Sequence, residues 1–157
     1  MTKIMLITVG KTTQRYIEEA VQEYVQRLKF YVSFETLVIP ELKDTKNIPI
    51  PIQKQKEGEL ILKRLQESDE VILLDEKGSE YTSIKFANFM EKKLSTNKRI
   101  VFVIGGPFGF SPDVYNRANA TLSFSKMTFS HQIIRVIFAE QLYRCFTIIR
   151  GESYHHE

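Results

Sequence analysis

Glu140 and Arg144 are the first residues whose types and spacing suggest chemistry. They are four residues apart within a long apolar run, so a helix would bring both to one face together with Thr147. A charge buried without a partner costs several kcal/mol. The two residues therefore form either a structural salt bridge or the floor of a catalytic site, and their spacing leaves both interpretations open.

A glycine-rich turn follows the apolar run from Ile100 to Ile104. Gly105 and Gly106 let the backbone approach a bound ligand closely, although a plain turn between a strand and a helix would use the same residues. A dinucleotide site would need Gly-x-Gly-x-x-Gly after an early strand and an acidic residue about 20 positions later. Phe124-Ser125 stands where that acid should be. The turn therefore favours a ligand site of another class.

The segment from Ser123 to His131 alternates small polar side chains with large ones. Ser130 could simply cap the helix that follows. Alternatively, the backbone of this loop could recognise the edge of an adenine ring while phenylalanine or methionine side chains pack on its faces. Parallel sheets bind ligands at the carboxyl ends of their strands. This loop, the glycine turn and Leu74-Asp75 all lie at the ends of predicted strands, where a ligand site of this kind is expected.

The single cysteine, Cys145, cannot form an internal disulfide, and no Cys-x-x-Cys spacing offers a zinc site. Its position in an apolar helical run favours a buried core residue over a nucleophile. His131, His155 and His156 are too scattered along the sequence to indicate a metal site. The net charge of +3, from 22 basic and 19 acidic residues, is compatible with an anionic partner but does not identify one.

The chain has 157 residues, the length of one domain, and its 43% hydrophobic and 26% charged content is typical of globular proteins. No run approaches the roughly 18 apolar residues that a membrane span needs. Met1 to Lys3 leads directly into a strand-like segment instead of a signal peptide. We therefore expect a cytoplasmic protein of one domain.

Strand-like and helical segments alternate along the chain. The predicted strands are Ile4 to Val9, Phe34 to Ile39, Val71 to Leu74, Ile100 to Ile104 and Thr121 to Phe124. The predicted helices are Gln14 to Lys29, Lys54 to Leu65, Ser83 to Leu94 with a cap at Thr82 or Ser83, Pro112 to Ala118 behind the cap Ser111, and His131 to Arg150. Three prolines predict a loop over 40–52, and Lys77-Gly78 predicts a turn. This pattern implies an α/β fold, with a parallel sheet covered by helices on both faces.

Four segments together resemble one known family. They are Phe102 to Gly109 (FVIGGPFG), Leu122 to His131 (LSFSKMTFSH), Arg135 to Arg144 with its ending AEQLYR, and Arg150 to His155 (RGESYH). In this order and at this spacing they are similar to the bacterial large-subunit rRNA methyltransferase H family of the SPOUT superfamily. The chain length is also similar, and the resemblance covers essentially the whole sequence.

The resemblance implies an α/β-knot fold, in which the C-terminal chain passes through a loop to make a trefoil knot. The whole chain, 1–157, would be one domain, and its knotted part at about 100–157 would bind S-adenosylmethionine. The resemblance further implies a homodimer that methylates N3 of a pseudouridine in helix 69 of 23S rRNA, on the assembled ribosome and without a metal. Members of this kind lack a separate RNA-binding domain, which agrees with the modest net charge here.

The resemblance also assigns residues. Cofactor contacts would come from Leu74, Gly105, Phe124, Ser125, Lys126, Met127, Thr128 and Phe129. The catalytic, substrate-side residues would be Glu140, Arg144, Tyr154 and His155, with the tail acting across the dimer interface. Methylation of a ring N–H requires a base, and His155 or Glu140 could serve. Arg144 could stabilise the anionic nucleobase or a phosphate beside it. His156 stands where the family often has a basic residue.

Two rival functions are also compatible with the resemblance. The chain could be a ribosome-associated binding module that keeps the fold without catalysis, although the intact glycine turn and the run from Phe124 to Phe129 argue against this. It could instead be a SPOUT enzyme that acts on tRNA or on another rRNA site.

Overall fold

A five-stranded parallel sheet carries the fold, as described for residues 2–156 by a computed structural model. Its strands are β1 (Lys3–Val9), β2 (Ser33–Ile39), β3 (Glu70–Glu80), β4 (Ile100–Ile104) and β5 (Ala120–Ser123). They are arranged in the order β2-β1-β4-β3-β5, and each neighbouring pair is parallel. The carboxyl ends of the strands therefore point to one edge of the sheet.

Helices cover both faces of this sheet. They are α1 (Arg15–Leu28), α2 (Ile50–Leu62), α3 (Ser83–Leu94), α4 (Pro112–Arg117) and α5 (Ile133–Ile149), with a 3-10 turn at Thr45–Asn47 before α2. Helices α1, α3 and α5 pack on one face, and α2 and α4 pack on the other. The central strand β4 is buried along its whole length, which explains its uninterrupted apolar sequence. The predicted α/β class, parallel sheet and two-sided helical cover are confirmed. Within residues 2–156, no helix is both long and apolar enough to cross a membrane.

The loop predicted over 40–52 is wrong at its end, because α2 already begins at Ile50. Pro49 is the N-cap residue of this helix and Pro51 lies in its first turn. The first N–H groups of a helix have no partner within the helix, so proline is tolerated there. Two of the three prolines that predicted a loop therefore lie at the start of a helix.

The turn predicted at Lys77-Gly78 is also wrong, because β3 continues to Glu80. Its register against β5 shifts after Leu74, which marks a bulge. A Cβ atom at Gly78 would lie 2.7 Å from the backbone nitrogen of Leu122. The glycine here permits two strands to approach closely and does not turn the chain.

The other helix boundaries follow the sequence prediction closely. The Thr82 hydroxyl accepts a hydrogen bond from the N–H of Lys85 at 3.1 Å, and the Ser111 hydroxyl accepts one from the N–H of Val114 at 3.4 Å. Helix α5 is followed by Gly151, whose φ is +70°. Both predicted N-caps and the predicted glycine stop are therefore confirmed.

Candidate active site

A cavity of about 530 Å³ opens at the carboxyl ends of β4 and β5, beside the segment of β3 where its register against β5 shifts. This volume lies within the roughly 300–1,000 Å³ of pockets that bind small molecules. The three strand-end segments selected from the sequence meet here. Seven residues predicted to contact a cofactor line the cavity: Leu74, Gly105, Phe124, Ser125, Met127, Thr128 and Phe129. Lys126 belongs to the same loop but is exposed and does not line the cavity.

The glycine turn after β4 forms one wall of this cavity. A Cβ atom at Gly105 would lie 2.9 Å from Cε1 of the buried Phe110 ring. The N–H of Gly109 donates a hydrogen bond to the carbonyl of Gly106 at 3.2 Å, and the φ of Gly109 is +83°, a region that disfavours other residues. At Gly105 and Gly106 the turn therefore presents bare backbone to the cavity.

The loop after β5 forms another wall and is held in shape by its own hydroxyls. The Ser123 hydroxyl donates to the carbonyl of Ser125 at 2.7 Å, and Oγ of Ser125 accepts from the N–H of Met127 at 2.9 Å. The Phe124 ring packs edge-on against Phe138 of α5. Both the hydroxyls and the aromatic packing therefore fix the backbone that faces a ligand.

Two acidic side chains, Asp75 and Glu76, tie the walls of the cavity together. Tyr115 of α4 donates a hydrogen bond to Asp75, and Thr128 of the loop donates one to Glu76. Burial, together with the Asp75 hydrogen bond, raises the pKa of Tyr115, so its hydroxyl remains a donor. Both residues line the cavity, and their carboxylates are acceptors for hydroxyl or ammonium groups. Glu76 was not predicted as a site residue, because the sequence places it between the expected end of the strand and the expected turn at Lys77-Gly78, whereas it lies within β3.

Arg135 is a second residue near the cavity that was not predicted from the sequence. It is 2% exposed, and its guanidinium donates to the carbonyl of Val9 at 3.2 Å, to Oγ1 of Thr12 at 3.0 Å and to the carbonyl of His131 at 3.0 Å. Burial lowers the pKa of Arg135. The side chain joins the end of β1 to the start of α5 and so anchors the end of the cavity loop. The sequence feature that could have indicated its burial is its position as a single arginine within an apolar helical run.

The second group of predicted residues surrounds Arg144 near the end of α5. Nε of Arg144 donates to Oε1 of Glu140 at 2.8 Å, and Nη1 lies 3.0 Å from Nδ1 of His155. The guanidinium carbon lies 4.7 Å from the centre of the Tyr154 ring, which is a cation–π contact. Arg144 therefore contacts the three other residues predicted to be catalytic, and the predicted ion pair on α5 is confirmed.

The contact with Arg144 determines where a neutral His155 carries its proton. A guanidinium has only donors, so Nδ1 of His155 must accept the hydrogen bond. The proton of the neutral imidazole then lies on Nε2. In the part of the chain that the structure describes, this Nε2 is buried and has no hydrogen-bond partner. A buried donor without an acceptor is costly, so Nε2–H is suited to donate to a ligand or to a second chain.

Tyr154 is also a hydrogen-bond donor in this cluster. Burial, together with the nearby charge of Glu140, raises the pKa of Tyr154 to about 12. The phenol therefore stays protonated at neutral pH and does not act as a base. Its ring packs edge-on against Tyr143 with the ring centres 4.7 Å apart, which holds the tail against α5.

The cavity and the Arg144 cluster lie at different places on the chain. Ile134 of α5 lines the cavity, whereas none of the four cluster residues does. Ile134 and Arg144 are separated by about 15 Å along the helix axis. One chain therefore does not bring the two predicted groups of site residues together.

The comparison with known proteins identifies the family. The sequence profile of a family described as "Predicted SPOUT methyltransferase" matches residues 2–155. The chain belongs to the SPOUT methyltransferase family.

Relatives of this SPOUT methyltransferase are similar over nearly their whole length. The protein named Ribosomal RNA large subunit methyltransferase H from Parabacteroides distasonis is 56% identical over 156 residues. The proteins of the same name from Bacteroides fragilis and Phocaeicola vulgatus are 55% and 54% identical. Each match covers 99% of both chains. The family resemblance that four sequence segments predicted is therefore confirmed.

A SPOUT methyltransferase requires a methyl donor, and the cavity at the strand ends is suited in size to hold a small one. Among residues 2–156, no group of three or more His, Cys, Asp or Glu side chains is arranged to hold a metal ion.

Proposed function

We propose that this chain transfers a methyl group from S-adenosylmethionine to N3 of a pseudouridine in helix 69 of 23S rRNA, on the assembled ribosome in the cytoplasm. The observation that carries the proposal is the match, over 99% of both chains, to proteins named Ribosomal RNA large subunit methyltransferase H. The target nucleotide rests on the resemblance of the four segments described above. A net charge of +3 suits scattered contacts to the phosphates of a large RNA surface.

The chemistry of the cavity wall supports S-adenosylmethionine as the methyl donor. The rings of Phe124 and Phe129 and the bare backbone at Gly105 suit the faces and edge of an adenine. The carboxylates of Asp75 and Glu76 suit ribose hydroxyls and the ammonium group of methionine. The residues present therefore fit this cofactor.

The Arg144 cluster is suited to handle the nucleobase. When bound, S-adenosylmethionine supplies an electrophilic methyl group for direct displacement by a ring nitrogen. The protein must orient the base, remove the N3 proton and stabilise the charge that develops on the ring. Tyr154 and Nε2–H of His155 can donate to the ring carbonyl oxygens, and the carboxylate of Glu140 can accept the proton. Arg144 holds these three side chains and supplies positive charge beside them.

A homodimer would bring the two groups of residues together. Each chain would supply one domain, 1–157, with its knotted part at about 100–157. The separation of about 15 Å along α5 supports a site in which the tail of one protomer reaches the cavity of its partner. Nε2 of His155 has no acceptor within residues 2–156 and would find one at that composite site.

The decisive test is mass spectrometry of 23S rRNA from a strain that lacks the gene. We expect helix 69 to carry the pseudouridine without its N3 methyl group, and a plasmid copy of the gene to restore the methyl group. Unchanged methylation at this position would reject the proposed substrate. Loss of a methyl group from a tRNA or from another rRNA site would support the rival SPOUT enzyme.

Calorimetry with S-adenosylmethionine separates an enzyme from a binding module. We expect saturable binding of one cofactor per chain. A chain that binds ribosomes but gives no heat with the cofactor would be the non-catalytic module.

A further inference from the structure

Glu57 is a buried acidic residue outside the two groups of site residues described above. It belongs to α2, on the face of the sheet opposite α5, and is 7% exposed. Its Oε1 accepts a hydrogen bond from the N–H of Gly106 at 3.1 Å. Gly106 lines the cavity. Glu57 therefore contacts the candidate cofactor turn from behind.

The Glu57 carboxylate also fills the space beside Gly106. A Cβ atom at Gly106 would lie 2.8 Å from both carboxylate oxygens of Glu57. Gly106 does not have a positive φ, so its backbone conformation does not itself require glycine. A side chain at this position would therefore have to displace the Glu57 carboxylate.

The neighbouring Gly58 explains how Glu57 comes so close to the turn. A Cβ atom at Gly58 would collide with Oγ of Ser111 and would lie 3.0 Å from Cγ2 of Val114. Helix α2 therefore packs tightly against the start of α4, which follows the glycine turn in sequence. This packing sets the position of Glu57 relative to Gly106.

The direction of the Gly106 N–H has a consequence for the cavity. In a trans peptide the C=O and the N–H point in opposite directions, and the chain has no cis peptide bond within residues 2–156. Because the N–H of Gly106 points to Glu57, the carbonyl of Gly105 points away from Glu57. It is thereby available as an acceptor for an N–H group of a ligand.

Keeping a carboxylate at this position is costly. Burial raises the pKa of Glu57, the Gly106 hydrogen bond acts to lower it, and the nearby Glu41 raises it further. An apolar side chain would fill the same space at a lower cost in desolvation, so simple packing does not account for an acid here.

We infer that Glu57 is a positioning residue that holds the Gly105-Gly106 peptide in the orientation that binds the cofactor. This rests on the proposed function, in which the cavity binds S-adenosylmethionine. Glu57 acts through the backbone of the turn and contacts neither the cofactor nor the RNA.

Calorimetry with S-adenosylmethionine on three variants tests the inference. Glu57→Ala removes the acceptor, so we expect binding about tenfold weaker. Glu57→Gln keeps an amide oxygen that can accept from Gly106, so we expect affinity within about twofold of the wild type. Glu59→Ala, an exposed neighbour on the same helix, is the control for lost charge and should bind normally.

Hydrogen exchange of the Gly106 amide, measured on the ligand-free protein, provides a readout that does not depend on the cofactor. We expect faster exchange in Glu57→Ala and near wild-type exchange in Glu57→Gln. If Glu57→Ala does not fold, Glu57→Met, which fills the space but lacks the acceptor, serves for both measurements.

A double variant tests the contact from the other side. Gly106→Ala should weaken cofactor binding because its methyl group collides with Glu57. Adding Gly106→Ala to Glu57→Ala should cause no further loss, because the methyl group then occupies the vacated space. Three results would each overturn the inference. The first is that the losses of cofactor affinity in the two single variants add up in the double variant. The second is that Glu57→Ala has wild-type affinity and unchanged Gly106 exchange, and the third is that Glu57→Gln binds the cofactor weakly. Failure of the wild type to bind the cofactor would instead overturn the proposed function, and Gly106 exchange would still test the role of Glu57.

Discussion

Arg144 contacts each of the other three residues in its cluster by a different part of its side chain. One side of the guanidinium donates to Glu140, the other side reaches Nδ1 of His155, and its flat face lies on Tyr154. A lysine could not replace it, because an ammonium group lacks the planar fork that makes these contacts together. The geometry of the cluster therefore depends on this one residue.

His155→Ala removes the imidazole whose Nε2–H lacks an acceptor within the described residues. We expect the methylation rate to fall by about 100-fold or more, because a positioned donor or proton-transfer group contributes at least this much. Affinity for S-adenosylmethionine should stay within about twofold, because in the proposed site His155 faces the nucleobase and does not belong to the cavity wall that binds the cofactor. His156→Ala, the exposed neighbour, is the control. Wild-type turnover by His155→Ala would remove the residue from the mechanism.

Cys145 is buried at 1% exposure in the core, as its sequence context predicted. Burial, with a smaller effect of Glu91, raises the pKa of the thiol to about 12, so almost no thiolate exists near neutral pH. We expect the native protein to resist a thiol reagent at pH 8 and to react completely once it is unfolded in guanidinium. Rapid labelling of the native protein would contradict the buried placement.

At the scale of the elements, the two ends of the parallel strands differ in what they contribute. The cavity lies toward the carboxyl ends of the strands. At their amino ends, Asp69, just before β3, forms an ion pair with Arg99, just before β4. Nε and Nη2 of Arg99 donate to the two carboxylate oxygens of Asp69 at 2.8 and 2.6 Å. The Asp69 side chain is fully buried, so this pair serves the fold.

Arg99→Ala should lower the free energy of unfolding by about 3–5 kcal/mol, because it leaves a buried carboxylate without its counter-ion. Urea unfolding followed by circular dichroism measures this loss. Glu19→Ala, which breaks the exposed pair of Glu19 with Arg15, is the control and should cause no measurable change. Equal effects from the two substitutions would contradict a special role of the buried pair.

The pH dependence of unfolding checks the same pair independently. Burial alone would raise the pKa of Asp69, but hydrogen bonds from Arg99 and from the N–H of Gln66 outweigh it and hold the pKa below the usual carboxyl range. A depressed pKa contributes stability above the unfolded-state value of about 4 and loses it on further acidification. The stability difference between the wild type and Arg99→Ala should therefore be constant near neutral pH and shrink on acidification. The variant regains stability when its uncompensated carboxylate takes up a proton, and the wild type loses stability below about pH 4.

The elements were predictable from the sequence where local patterns alone determine them. The apolar run of β4 and the caps of α3 and α4 depend only on residues that are neighbours in sequence, and the structure confirms their prediction. The extension of β3 through Gly78 depends on pairing with β5, and the burial of Glu57 depends on the contact of α2 with the glycine turn. The ion pair of Glu140 with Arg144 follows from helical spacing, whereas the return of His155 onto it depends on the turn after α5.

That turn directs the tail. The N–H of Gly151 donates to the carbonyl of Ile148, and the N–H of Glu152 donates to the carbonyl of Thr147, which is a Schellman motif with glycine in the left-handed region. The chain then leads to Tyr154, which packs on Arg144. A glycine at the end of a helix was predictable, but its effect on the tail was not, because it depends on which side chains the redirected chain meets.

At the scale of the whole molecule, the separation of the cavity from the Arg144 cluster predicts how mixed dimers behave. Gly105→Val should disable the cavity, because its side chain would collide with Phe110, and His155→Ala should disable the tail. If each site combines the cavity of one protomer with the tail of its partner, a dimer of one Gly105→Val chain and one His155→Ala chain has one intact site.

Coexpression of the two inactive variants with different tags therefore restores activity. Random pairing makes about half of the dimers mixed, and each has one working site of two, so about a quarter of the wild-type activity per chain should return. Dimers purified through both tags in sequence should reach about half. If each site is instead built within one chain, the mixture should stay inactive, because every chain in it lacks either a working cavity or a working tail. A mixture no more active than its parents would reject the composite site, even if the protein is a dimer.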